Sequence, residues 1–218
     1  MPEPSENRRP FPDPRKAGPD GLVTVGGDLS PERLRLAYRS GIFPWTVNPV
    51  TWWSPDPRAI FELENFQPPR SLARFLRQAR FEFTADRAFR RVMEGCAAPA
   101  PGRRTTWISP EFMEAYCRLH ELGDAHSIEC WQAGELVGGV YGVSLGGCFA
   151  GESMFHRVSN ASKAALSQLI FRLRERGFAL FDIQMLTPVT RSLGAVEISR
   201  EEYLRRLDEA TRRKCSFG

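Results

Sequence analysis

Apolar positions along the chain switch between a helical and a strand period, and capping and turn residues mark the switch points. Ser30-Pro31-Glu32 reads as N-cap, first helical position and dipole-matched acid, and predicts a short helix ending near Gly41. From Ile42 to Pro57 the chain is dense in aromatics and prolines, which forbids a regular helix and predicts a structured loop with strand pieces. Residues 69–79 predict a helix, 81–84 a strand and 86–94 a helix. Residues 97–105, rich in Ala, Pro, Gly and Arg, predict a mobile loop. Ser109-Pro110-Glu111 repeats the helix-start signature, and that helix should stop at Gly123.

From Ser127 to Met154 the period changes to strands. Ala133-Gly134 and Leu145-Gly146-Gly147 are turn signals that divide the stretch into a three-stranded antiparallel meander. Asn160–Arg176 carries an apolar stripe of helical period and ends at Gly177, Ala179–Gln184 reads as a buried strand, and Ser199-x-x-Glu202 opens a last helix. Meander, helix, strand, helix is the order of an acetyltransferase-like α+β domain. The expected organisation is a flexible lead-in over 1–20, a small N-terminal α/β domain over 21–95, and an acetyltransferase-like (GNAT-type) domain over 96–218.

Composition adds limits. No apolar run approaches the length of a membrane span, and the Pro- and charge-rich N-terminus has no apolar core of a secretory signal, so we expect a cytoplasmic protein. The five cysteines form no C-x-x-C pair, and His120 and His126 match no common zinc spacing, so neither a disulfide framework nor a metal site is expected. Net charge is +4 and only three of the 30 basic residues are lysines, which says little about partners until the arginines are placed.

Arg70, Arg74 and Arg77 fall within roughly a 60° arc of the helix over 69–79, with no acid at i±3 or i±4, while Leu72, Phe75 and Leu76 face the other way. Unpaired arginines on one ridge repel each other until an anion arrives, so this ridge reads as a phosphate track. Trp45 and Trp107 sit beside turn residues and offer flat faces for an unpaired base, whereas Trp52 and Trp53 read as packing. Asp182 and Gln184 lie two apart in an apolar strand and so should share one face; with Glu152 they make a polar group that needs partners or a ligand.

Several of these residues fall within ordered blocks of unusual composition. Gly26-Gly27-Asp28-Leu29-Ser30, Gly41-Ile42-Phe43-Pro44-Trp45, Trp52-Trp53-Ser54-Pro55-Asp56-Pro57-Arg58, Gly138-Gly139-Val140-Tyr141-Gly142, Gly151-Glu152-Ser153-Met154-Phe155 and Ser192-Leu193-Gly194-Ala195 closely resemble the leucyl/phenylalanyl-tRNA–protein transferase family, in order from about residue 21 to 208. The resemblance implies an enzyme that moves Leu or Phe, with Met a further candidate, from aminoacyl-tRNA to proteins beginning with Arg or Lys. The product would carry an N-terminal degradation signal.

Carried over by position, Trp45 and Trp107 would hold the terminal adenosine of the tRNA, and Arg70, Arg74 and Arg77 would meet its backbone. Glu152, Asp182 and Gln184 would form the reaction centre. The family account has Asp182 polarise Gln184 to accept the ammonium proton, but a neutral amide is a very weak base, so we expect Gln184 to orient the amine and Asp182 to supply a negative field and a proton sink. Val140, Phe149, Met154, Leu166, Leu169 and Phe181 would line the amino-acid pocket. No cofactor is implied, since the ester already stores the energy. Relatives often follow the Asp with Cys and then Asn-x-His; here Ile183 and Met185-Leu186-Thr187 stand instead, which leaves those roles unfilled. Two alternatives stay open: a non-enzymatic RNA-binding protein, and an acyl-CoA-dependent acetyltransferase whose pyrophosphate loop would be Arg191–Val196.

Overall fold

The computed structural model describes residues 10–78, 80–99 and 106–218. After a 3-10 turn at Pro14–Lys16, the chain runs β1 (Leu22–Val25), α1 (Pro31–Arg39), β2 (Phe43–Val47), β3 (Val50–Trp53), β4 (Arg58–Phe61), α2 (Arg70–Leu76), β5 (Glu82–Ala85) and α3 (Phe89–Ala97). It continues with α4 (Pro110–Glu121), β6 (Ala125–Gln132), β7 (Glu135–Leu145), β8 (Cys148–His156), α5 (Ala161–Glu175), β9 (Leu180–Asp182), α6 (Pro188–Ser192), β10 (Val196–Ile198) and α7 (Arg200–Thr211). Residues 100–105 of the expected mobile loop, and the first nine residues of the lead-in, lie outside the described residues.

The Ser-initiated helices form for the reason the caps predict. The hydroxyls of Ser30, Ser109 and Ser199 accept from the backbone N–H of Arg33, Phe112 and Glu202, so each satisfies a donor that its first turn cannot, an effect of about 1 kcal/mol per cap. At the far end of α5, Gly177 takes a left-handed φ of 76° and the N–H of Phe178 returns to the Leu173 carbonyl at 3.0 Å.

Two sheets result. A small antiparallel one has the order β1-β3-β2, and a seven-stranded one has the order β10-β4-β9-β8-β7-β6-β5. The meander β6-β7-β8 sits at its centre, and β8 pairs in parallel with β9, reached through α5. This is the mixed α+β, acetyltransferase-like layout expected from the order of elements. Strands β4 and β5 precede residue 95, yet both are members of the large sheet, and β4 is inserted between β9 and β10. Residues 10–20 are docked as well: Phe11 packs edge-on against the buried Trp52, ring centroids 4.9 Å apart.

Apolar residues fill both faces of the large sheet. Tyr141 and Val143 of β7 turn toward Val92 and Met93 of α3 and Tyr116 of α4, while Val137 and Val140 turn toward Leu166, Leu169 and Ile170 of α5. α5 approaches β7 closely because Gly138 has no side chain. A Cβ there would lie 2.7 Å from the Ala161 Cβ and 2.9 Å from the Ala161 carbonyl carbon. Gly138→Ala should therefore cost about 1–3 kcal/mol of stability in urea unfolding, as overpacking does in a dense core. An unchanged midpoint would mean that α5 can retreat freely.

Candidate active site

The site forms where two parallel strands part. β9 pairs with β8 from Cys148↔Leu180 to Ala150↔Asp182 and then ends, while β8 continues to His156. The next residues of β8 are Gly151 and Glu152. On its other side β8 is irregular: Tyr141 of β7 pairs with Ser153 and Gly142 with Gly151, so Glu152 is the extra, unpaired residue of a bulge. A bulge re-aims a side chain, and here it turns a carboxylate into the opening between the strands.

Glu152 is held on several sides. The Tyr38 hydroxyl of α1 donates to Oε1 at 2.8 Å, the Tyr116 hydroxyl of α4 approaches Oε2 at 3.3 Å, and the Gln184 amide donates to Oε1 at 3.0 Å. The two tyrosine hydroxyls also bond to each other. Burial pushes the Glu152 carboxyl up to about 7; Asp182 adds to the rise, while the hydrogen bonds from Tyr38 and Tyr116 and the charge of Arg58 oppose it. Burial and the neighbouring carboxylate hold both tyrosines well above their ordinary values, so they remain donors.

The expectation that Asp182 and Gln184 share a strand face does not hold. The strand stops at Asp182, and Gln184 lies beyond it with a left-handed φ of 58°, so the alternation of a strand no longer applies. Asp182 is fully buried and its carboxylate is already occupied. Arg58 of β4 donates from Nε and Nη2 at 2.8 and 2.7 Å, the Tyr203 hydroxyl of α7 donates at 3.0 Å, and the backbone N–H of Gln184 donates at 2.9 Å. Burial alone would lower the guanidinium, but Asp182 holds Arg58 above its ordinary value. Asp182 thus grips the backbone of Gln184, and the Gln184 side chain turns to Glu152.

Two cavities meet at this point. One, of about 230 Å³, is lined by Val140, Met154, Leu166 and Phe181, with Thr190 at its edge. The other, of about 290 Å³, is lined by Phe43, Pro44, Trp45 and Trp107. Glu152, Ile183, Gln184, Met185 and Thr187 line both, so the segment after β9 is the partition between them. Of the six residues expected in the apolar pocket, Phe149 and Leu169 are absent from its lining. They are fully buried behind it, with the Phe149 ring 5.8 Å from Phe181 in an edge-on contact.

Trp45 is on strand β2 rather than a loop, and is 36% exposed. Trp107 lies on the loop before α4, edge-on to Phe112 at 5.1 Å. Trp52 is buried and gives its indole N–H to the Gly26 carbonyl, in line with a packing role. Arg70, Arg74 and Arg77 are exposed along α2, lie away from both cavities, and make no ion pair with any described residue. On the opposite side Leu72 is buried and Phe75 packs against Phe81.

Sequence reasoning missed Tyr38, Tyr116, Arg58 and Tyr203. Arg58 stands at the end of a block already singled out, but nothing in the pattern says that its partner lies 124 residues on. The tyrosines sit on apolar helix faces, where a hydroxyl turned inward has no local signature.

The site thus lies where a sheet of acetyltransferase-like order is split beside a carboxylate, at the junction of two cavities. The model of the leucyl/phenylalanyl-tRNA protein transferase family matches residues 60–208, and that of the family's N-terminal domain matches residues 27–56. A leucyl/phenylalanyl-tRNA–protein transferase of Nitratidesulfovibrio vulgaris (strain DP4) is 51% identical over 211 residues, covering 95% of this chain and 90% of the relative. Another, of Shewanella pealeana, is 50% identical over 201 residues, covering 90% and 85%. Among solved structures, a GCN5-related N-acetyltransferase from Kribbella flavida aligns at a TM-score of 0.43 and 11% identity, covering 78% of this chain and 61% of that one. The chain belongs to the leucyl/phenylalanyl-tRNA–protein transferase family and is an aminoacyltransferase.

The raised carboxyl makes stability depend on pH. The folded state holds a proton on Glu152 up to about pH 7, whereas the unfolded chain releases it near its ordinary value of 4.5. The stability associated with this proton is therefore complete below pH 4.5 and is lost as pH rises toward 7. Glu152→Gln, which cannot ionise, should gain on the wild type by up to about 3 kcal/mol between pH 4.5 and 8, the open pocket edge reducing that figure. Paired urea titrations at the two pH values measure it, and parallel behaviour would place the carboxyl near its ordinary value.

Proposed function

We propose that this enzyme transfers leucine or phenylalanine from aminoacyl-tRNA to the α-amine of proteins that begin with Arg or Lys. The observation that carries the reading is the meeting of an apolar cavity and a tryptophan-flanked cavity at Glu152 and Gln184. In this reading the Leu or Phe side chain enters between Val140, Met154, Leu166 and Phe181. The terminal adenosine stacks at Trp45 and Trp107, and the ester lies over the partition between them. Arg70, Arg74 and Arg77 meet the tRNA backbone. Because the donor is charged tRNA, the reaction belongs to the cytoplasm.

The chemistry is aminolysis of an ester. The incoming α-ammonium gives a proton to Glu152, and its nitrogen attacks the ester carbonyl carbon. The attack makes the C–N bond; as the tetrahedral intermediate collapses, the bond to the ribose oxygen breaks and that oxygen takes up the proton that the nitrogen sheds on becoming an amide. A carboxyl near 7 suits this exchange, since the acceptor amine has an ordinary pKa of ~7.7–8.0 and the two are closely matched. Even so, full deprotonation gains only about 1 kcal/mol over the fraction already neutral at pH 7. Positioning the amine against the ester contributes ~7–11 kcal/mol, so the largest effect is orientation, the role of the Gln184 amide.

The acyl-CoA alternative fares worse. Such enzymes present a Gly-rich turn to a pyrophosphate at the start of a helix, whereas Arg191–Val196 here leads from α6 into β10. The RNA-binding alternative leaves the buried Glu152 network without a purpose.

The deciding experiment is transfer of radiolabelled leucine from Leu-tRNA to a reporter beginning with Arg, beside an identical reporter beginning with Gly. Label on the Arg reporter alone, without CoA or ATP, is expected. No label on either, with folded enzyme and bound tRNA, would leave an RNA-binding protein. Replacing Arg70, Arg74 and Arg77 with Ala should flatten the plot of log Kd for tRNA against log salt by about 2–3 units of slope, since each phosphate contact contributes about 0.7–0.9. An unchanged slope would remove α2 from the tRNA path.

A further inference from the structure

Resting on the transfer reading above, we propose that Arg58 is a positioning residue for the reaction. Together with Tyr203 it takes up the Asp182 carboxylate, so that Asp182 acts as a clamp on the Gln184 backbone and not as the acceptor of the released proton.

Four contacts fill the Asp182 carboxylate: two from Arg58, one from Tyr203 and one from the Gln184 N–H. It lines neither cavity and is fully buried. A proton arriving from an amine in the cavity has no path to it and would have to break a charge-assisted pair to bind. Glu152, by contrast, lines both cavities.

The clamp has a mechanical purpose. Gln184 is held at φ 58°, in the left-handed region that a non-glycine residue enters only where its surroundings dictate it. Three bonds dictate it: Gln184 N–H to Asp182 Oδ1 at 2.9 Å, Ala59 N–H to the Gln184 carbonyl at 3.1 Å, and Ile183 N–H to the Ala59 carbonyl at 3.0 Å. Two involve β4 directly, and the third depends on the Asp182 carboxylate that Arg58 of β4 holds. The same strand therefore shapes the partition between the cavities and aims the Gln184 amide at Glu152. Arg58 is itself braced by the Gly41 carbonyl at 3.2 Å and lies against the rings of Phe43 and Tyr203.

The test is single-turnover transfer at saturating aminoacyl-tRNA, with wild type in every run. Arg58→Lys keeps the charge but loses the two-pronged grip, and should lower the rate about ten- to a hundredfold with tRNA affinity unchanged. Tyr203→Phe, a milder change, should lower it a few-fold. Because Arg58 acts through Gln184, adding Arg58→Lys to Gln184→Ala should lower the rate no further than Gln184→Ala alone.

The pH profile separates the two carboxylates. Tyr38, Tyr116, Tyr141, Asp182 and Arg58 are the titratable groups around Glu152, and Arg58→Lys preserves the charge among them. The acid limb should stay near pH 7 in Arg58→Lys and Tyr203→Phe, and move toward the amine's own ~7.7–8.0 in Glu152→Gln. A limb that moves in the Arg58 and Tyr203 variants but not in Glu152→Gln would make Asp182 the acceptor and overturn the proposal. Full activity of folded Arg58→Lys, or additive losses in the double variant, would overturn it as well. A wild type that transfers nothing overturns the transfer reading and this one with it.

Discussion

Arg58 and Asp182 form an ion pair closed off from water, and strands, a helix and a turn from distant parts of the chain meet on it. Neither side chain has access to water, and each would be costly alone, since removing one partner of such a pair costs about 3–5 kcal/mol. Together with Tyr203 and the Gly41 carbonyl, the pair ties β4, β9, α7 and the turn before β2 to one point. The N-terminal part of the chain is thus bound to the Asp182–Gln184 segment beside the cavities. Strand β4 fills the sheet between β9 and β10, and in doing so supplies the arginine and the backbone partners of Ile183 and Gln184.

A second consequence concerns where charge is allowed to be. The Asp182 carboxylate is matched and locked, whereas Glu152 meets only neutral donors: two tyrosines and an amide. Burial, with no cationic hydrogen-bond donor among the described residues to offset it, raises the Glu152 carboxyl toward neutrality. The bulge in β8 then decides which of the two carboxylates faces the cavities, because it turns Glu152 into the gap that opens when β9 ends.

Around that gap the two cavities have walls of different origin. The apolar one owes its walls to α5 and the meander, elements fixed by core packing, with Phe149 and Leu169 as the layer behind. The other owes its walls to β2 and the segment before α4, and its two tryptophans are only partly covered by protein. The partition between them is five residues of irregular backbone, which has no period of its own and takes its shape from β4.

The sequence by itself determined the elements and the motif residues. Serine caps, helix-ending glycines and the change from period 3.6 to period 2 are local signals, each read within a few residues, and the helices and the meander follow from them. The arginine ridge of α2 was legible for the same reason, as a property of one helical turn after another. Long-range pairings had no such signal. That Arg58 would meet Asp182, that Tyr38 and Tyr116 would converge on Glu152, and that Phe149 would fall behind the pocket wall depend on how strands far apart in the chain come to lie side by side. Asp182 and Gln184 mark the boundary between the two kinds of knowledge: their spacing implied a shared face, but the strand ended between them, and only the tertiary contacts of β4 decided which way each would turn.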